Sequence, residues 1–70
     1  MDIASIEVGQ ELVYLSIGPG GRYGPRIRVT RIDGRRVIGT VLDPMQNPWP
    51  VGSSFSGLPL SFRLPEDVPA

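Results

Sequence analysis

Seventy residues, 40% hydrophobic and 20% charged with seven basic against seven acidic groups, describe one small domain of zero net charge with enough apolar material for a core. The chain contains no cysteine and no histidine, which excludes disulfide staples and removes both usual ligands of soft and borderline metals. No apolar run approaches the roughly 20 residues that cross a bilayer, and Met1–Ser5 lacks the basic and long apolar regions of a secretory leader. The expected location is therefore the cytoplasm, or a place within a larger particle such as a virion, rather than a membrane.

Eight prolines and nine glycines interrupt the chain so often that no long helix is expected. The segment from Ile3 to Gln10 has room for one short turn. A first strand is expected over 10–17, with Val13, Leu15 and Ile17 on one face and Leu12 and Tyr14 on the other. Both faces are partly apolar, so this strand should contribute to two surfaces. Gly18 to Pro25 follows as a glycine-rich loop. It lacks the G-x-G-x-x-G and Gly-Lys-Ser/Thr patterns and leads into a strand rather than a helix, so it reads as a connection and not as a phosphate cradle.

Strands are expected over 26–32 and 35–42, joined at Asp33-Gly34, a pair that favours hairpin turns. A two-residue loop there sets Val29 opposite Ile38 and Ile27 opposite Thr40, but it also sets Arg31 against Arg36. A three-residue loop pairs Arg31 with Val37 instead, and the register stays open. The last strand is expected over 58–64, where Leu58, Leu60, Phe62 and Leu64 alternate with Pro59, Ser61 and Arg63 and define a core face. Pro59 cannot donate to a ladder, which places this strand at an edge or beside a bulge. Residues 1–64 form the domain, and 65–70 form an extended acidic tail.

This pattern predicts an all-β fold, a small barrel of four to five strands with a central Asp-Gly hairpin. The succession of long loop, central hairpin, second loop and final strand resembles the SH3-like superfold in outline. Such a fold hosts many functions and fixes none.

The side chains present are poor catalytic equipment. All seven basic residues are Arg, so Lys joins Cys and His among the missing nucleophiles and bases. Arg without Lys suits bidentate recognition of carboxylate or phosphate, and is equally the product of GC-rich coding, which also raises Gly and Pro. Ser53, Ser54, Ser56 and Ser61 have only carboxylates or Tyr to activate them, and the acids sit in turn-like contexts. The expectation is a protein that is not an enzyme and uses no cofactor and no metal.

Two segments are candidates for binding. Arg22, Arg26, Arg28, Arg31, Arg35 and Arg36 against Asp33 give residues 22–36 a net charge of +5, and the remainder of the chain carries −5. This is either a basic face for a phosphate backbone or an acidic protein, or a solvated hairpin neutralised by its own ends. The second is Asp43–Pro50, where Trp49, the only Trp, sits between two prolines with Met45 nearby. Trp is a common interface anchor and proline lowers the ordering penalty of binding, although a lone Trp can also cap a small core.

These features lead to a non-enzymatic protein–protein interaction module, a structural or accessory subunit of a larger assembly such as a virus-particle decoration protein or an inhibitor-type adaptor. Its contact residues would be Met45, Trp49, Val68, Glu66 and Asp67, and its partner another protein or copies of itself, with the acidic tail reaching a neighbour. The alternative is a nucleic-acid-binding barrel that uses the Arg-rich hairpin 26–36.

Overall fold

The computed structural model describes residues 1–16 and 20–69 and is all-β. Glu11–Leu15 (β1), Tyr23–Asp33 (β2), Arg36–Asp43 (β3), Ser54–Gly57 (β4) and Phe62–Arg63 (β5) form one antiparallel sheet in the order β4-β3-β2-β1-β5. Short 3-10 turns at Ile3–Ser5, Pro59–Ser61 and Pro65–Asp67 complete the chain. Ile17 at the end of the first expected strand, Gly18 and Pro19 in the expected loop, and Ala70 in the expected tail lie outside the described residues.

The expected strand at 26–32 begins earlier, at Tyr23, and takes in Gly24 and Pro25. Val13 pairs with Arg26 and Leu15 with Tyr23, so one residue of β1 faces two of β2. Pro25 lies in this bulge, where a missing N–H breaks no ladder bond. The central hairpin forms, with a register different from either expectation. Asp33 pairs with Arg36, Ile32 with Val37 and Arg31 with Ile38, which leaves Gly34 and Arg35 as the turn. Gly34, at φ 61°, takes the first central position, where a II′ turn demands glycine. The slip by one residue separates Arg31 from Arg36 and puts each arginine near an acid or an aliphatic chain. A bulge between Val29 and Arg31 then restores the alternation that buries Ile27 and Val29.

The sheet does not close into a barrel, because no strand pairing joins β4 to β5. It curls instead until the two edges meet through their side chains. The rings of Phe55 on β4 and Phe62 on β5 lie edge-to-face with centroids 6.4 Å apart, and Tyr14 on β1 packs against them at 4.9 and 5.5 Å. Ile6, Leu12, Ile27, Val29, Val37, Val41, Phe55 and Phe62 form the core. Gly57 is part of this closure, since a Cβ there would stand 3.0 Å from the Tyr14 ring and 3.2 Å from Phe62.

The alternation from Leu58 to Leu64 does not produce one strand with one core face. Pro59 starts a 3-10 turn over Pro59–Ser61, and only Phe62 and Arg63 join the sheet, at its edge. A turn of three residues rotates side chains away from a strand's two-residue period. Leu58 and Leu60 consequently point to solvent, 49% and 78% exposed, while Phe62 is fully buried and Leu64 packs against the core. The strand Ser54–Gly57, absent from the sequence expectation, takes the opposite edge. The tail is not extended throughout: Pro65–Asp67 form a further 3-10 turn, closed by the Val68 N–H on the Pro65 carbonyl at 3.2 Å and lying beside β1.

The two leucine-period residues should therefore behave oppositely. Phe62→Ala should lower unfolding free energy by about 3–5 kcal/mol, and Leu60→Ala by no more than about 0.5 kcal/mol, as read from urea denaturation. Equal losses would contradict the placement of Leu60 outside the core.

Candidate functional site

The loop between β3 and β4 is long and rich in proline, yet every backbone N–H in it except that of Val51 has a partner. Asp43 accepts the Met45 N–H through Oδ1 at 2.9 Å, and the Asn47 N–H reaches the Pro44 carbonyl at 3.0 Å. Gln46 and Tyr23 exchange two bonds: the Gln46 N–H donates to the Tyr23 carbonyl at 3.0 Å, and the Tyr23 N–H donates to Gln46 Oε1 at 2.8 Å. Asn47 Nδ2 donates to the Gly24 carbonyl at 2.7 Å. The loop thus extends the sheet beside β2 by side-chain and main-chain bonds together.

This docking depends on Gly24. A Cβ there would stand 2.5 Å from the Pro44 carbonyl oxygen and 2.8 Å from Met45 Cβ, and its φ of 123° already favours glycine. Met45 takes a left-handed conformation at φ 54°, which is unfavourable for a side chain of its size by about 1–2 kcal/mol. The bonds on either side of it over-determine that conformation. Beyond Asn47 the chain turns again, with the Trp49 N–H on the Asn47 carbonyl at 2.9 Å and Ser53 Oγ on the Pro50 carbonyl at 2.6 Å.

Trp49 emerges from this brace half-exposed. One edge of its ring packs on Phe55 at a centroid distance of 5.0 Å and a steep angle of 84°. It therefore does both things that the sequence left open: it caps Phe55, and it presents 43% of its surface. Tyr14, Ser16, Asn47, Trp49, Ser54, Phe55 and Ser56 line a groove of about 370 Å³ beside it. Met45 and Arg22 belong to a second, more open hollow, which shares Asn47 and Trp49 with the first. Val68, Glu66 and Asp67 lie in the C-terminal segment and line neither groove. The sequence reading missed Ser54, Phe55 and Ser56, because a four-residue strand with one large apolar side chain leaves no periodicity to read.

The arginines do not form one free basic face. Glu11 on β1 lies opposite Arg28 and beside Arg26 on β2. Its Oε1 accepts from Arg26 Nε at 2.8 Å and Nη2 at 2.7 Å, while its Oε2 meets Arg28 Nη2 at 3.3 Å. The hydrogen bonds from Arg26 and then Arg28 hold the Glu11 carboxyl below its ordinary range. Arg31 stands 3.9 Å from Asp33; the backbone register also sets Arg36 opposite Asp33 and Arg26 opposite Asp43, without an ion pair between either two. Among the described residues Arg22, Arg35, Arg36 and Arg63 make no ion pair. Arg22 sits by the Trp49 loop, Arg35 and Arg36 at the hairpin tip, and Arg63 on β5. No three acidic side chains among the described residues converge to hold a metal ion, and no helix among them is long and apolar enough to cross a membrane.

Comparison with known protein families, with curated proteins and with solved structures finds no match to this chain. Its residues alone carry the functional argument.

The Glu11 clamp has a pH signature. A carboxylate whose pKa is lower in the folded state adds stability that is complete above its unfolded pKa and disappears as pH falls through the folded value. Urea midpoints of the native protein should drop across that acid window, and Glu11→Gln should flatten this limb. An unchanged slope would remove the clamp from the account of acid stability. At the loop, Gly24→Ala should destabilise the fold by about 1–3 kcal/mol, with a red-shifted Trp49 emission as the loop lifts from β2; a wild-type spectrum and midpoint would contradict the docking geometry.

Proposed function

We propose that this chain is a non-enzymatic protein-interaction module that receives a segment of its partner in the groove between Tyr14 and Trp49. The carrying observation is the bracing of that groove. A proline-rich loop is held to Tyr23 and Gly24 by three side-chain or main-chain bonds, a left-handed Met45 is kept in place, and the result is a half-exposed Trp49 that needs little further ordering to bind. Pre-organised aromatic side chains lose little entropy on association and are the usual anchors of interfaces. Strain maintained in an exposed loop points to use of that loop.

The lining chemistry supports a peptide rather than a phosphate-bearing ligand. Two aromatic faces offer apolar contact, and Ser16, Ser54, Ser56 and Asn47 offer neutral donors and acceptors suited to a peptide backbone. Among the described residues no cation lines the groove. Arg26 and Arg28 are engaged by Glu11 and Arg31 stands by Asp33, which weakens the nucleic-acid reading. The absence of Cys, His and Lys from the sequence supports binding over catalysis. The strand order, with β5 beside β1 and the edges drawn together by aromatic rings, supports an open relative of the SH3-like architecture. A subunit or adaptor role in a larger assembly follows naturally for a small neutral domain of this kind.

The test is a selection of random 12-residue peptides against the intact chain, followed by titration on the fluorescence anisotropy of the labelled peptide. Selected peptides should bind with a Kd of about 1–100 µM, the range of weak modular contacts, and Trp49→Ala and Tyr14→Ala should each weaken them by about tenfold or more. A single-stranded oligonucleotide should not bind appreciably at about 0.15 M salt. Micromolar oligonucleotide binding that is lost in Arg26→Gln/Arg28→Gln, with no peptide selected, would overturn the proposal in favour of nucleic acid.

A further inference from the structure

The two edges of the sheet are finished differently. At β5 the chain caps its own edge, where Arg63 Nη1 donates to the Phe62 carbonyl at 2.9 Å and to the Leu60 carbonyl at 2.8 Å. Among the described residues β4 has no such cap. Its sequence, Ser54-Phe55-Ser56-Gly57, also carries neither a charge nor a proline, the usual means of blunting a sheet edge.

The register on β3 determines which main-chain groups β4 leaves open. The Val41 N–H donates to the Ser53 carbonyl at 2.9 Å, so Ser53 turns its carbonyl toward β3. Bonded and non-bonded residue pairs alternate along an antiparallel ladder. Phe55 opposite Gly39 and Gly57 opposite Val37 therefore bond to β3, whereas Ser54 opposite Thr40 and Ser56 opposite Ile38 point their N–H and C=O groups the other way. The Ile38 carbonyl has the matching phase, since it accepts from the Thr30 hydroxyl at 3.2 Å on the β2 side. No turn or loop main-chain bond among the described residues reaches Ser54 or Ser56.

The free side of β4 is the Tyr14–Trp49 groove. Ser54 and Ser56 line it together with Tyr14 and Ser16, which come from across the opening of the curled sheet. The groove thus occupies the gap that one more strand would fill. At Gly57 the gap is already shut, because a Cβ there would stand 3.0 Å from the Tyr14 ring.

We infer that an uncharged, extended segment of the partner protein adds as a strand to the free edge of β4, where it bonds the outward N–H and C=O groups of Ser54 and Ser56. This rests on the groove being a peptide site and specifies how the peptide is held: main-chain bonds supply affinity and the aromatic faces choose side chains. The segment is uncharged where it lies in the groove, because no described lining residue is charged and a charge enclosed there would have no partner. A second copy of the folded chain does not suit this site. Its sheet edge would have to come within about 4.8 Å of β4, into a groove of about 370 Å³ flanked by Trp49, Tyr14 and Ser16.

Amide hydrogen exchange on the intact chain, with the selected 12-residue peptides as probes, tests this. In the free protein Ser54 and Ser56 should exchange faster than Phe55 and Gly57, and peptide at about ten times its Kd should slow Ser54 and Ser56 by about tenfold. Methylating the peptide backbone one nitrogen at a time should weaken binding by about tenfold at alternate residues of the bound stretch and little between them. Ser56→Ala should bind as the native chain does. Ser56→Pro, which deletes an outward N–H and spares the β3 ladder, should lose about tenfold with its circular dichroism spectrum unchanged; if it does not fold, exchange and methylation decide alone. Peptides that bind and depend on Trp49, yet leave Ser54 and Ser56 exchange unaltered or show no alternation on methylation, would overturn strand addition while the groove remains a peptide site. Failure to select any peptide would overturn both. Slow exchange of Ser54 and Ser56 in the free chain would also overturn it, giving the edge to a second copy where dilution speeds exchange and to the chain's own residues where it does not.

Discussion

An open antiparallel sheet has two edges, and a domain of this size cannot leave both without support. Here the support is aromatic. Tyr14, Phe55 and Phe62 come from three different strands, including both edges of the sheet, and they pack edge-to-face with centroids between 4.9 and 6.4 Å. Such pairs contribute about 0.5–1.5 kcal/mol each beyond the area they bury. The curl of the sheet, the burial of Phe62 on a strand only two residues long, and the position of Trp49 over Phe55 all follow from this cluster. Gly57 matters because any larger residue would push into it.

The same cluster connects core and surface. Phe55 is buried, yet its ring carries Trp49 on one side, and Trp49 and Tyr14 are the aromatic faces of the groove. The groove floor is thus the core itself rather than an independent loop. The rim includes the proline-rich loop pinned to the sheet through Gln46 and Asn47. This arrangement is useful for recognition: the aromatic faces are rigid, and the hydrogen-bonding groups that choose among ligands stand beside them, on the β4 strand at Ser54 and Ser56 and on the braced loop at Asn47.

How far the sequence carries depends on the kind of signal each segment holds. Asp33-Gly34 announced the hairpin because glycine is demanded by turn geometry, although its register, with Gly34 and Arg35 as the turn and a bulge at Thr30, is displayed by no local pattern. Strand alternation was legible where β-branched residues surrounded it, at Ile27, Val29, Val37 and Val41. It misled at Leu58–Leu64, where Pro59 opens a 3-10 turn and breaks the period that the letters seem to maintain. The Ser54–Gly57 edge was illegible, since a single phenylalanine among serines has no period. The Trp49 loop was recognisable as a candidate from Trp and proline alone, but its bracing by Gln46, Asn47 and Gly24 is a tertiary fact. The arginine cluster was visible as charge; its pairing with Glu11 required knowing which strands are neighbours.

The pairing of β5 with β1 has a consequence for how the chain reaches this arrangement. The β2–β3 hairpin closes over a two-residue turn, whereas Val13 and Arg63 meet across fifty residues of sequence. Closing the longer loop is entropically less favourable, and contacts of high sequence separation slow folding. The hairpin is therefore the local nucleus onto which β1 and β4 can add, and the two-residue β5 arrives late, carrying Phe62 into a site already shaped by Tyr14 and Phe55. Until that ring arrives the two edges of the sheet lie open, so the order of assembly leaves the chain most vulnerable to edge-to-edge aggregation just before its final step.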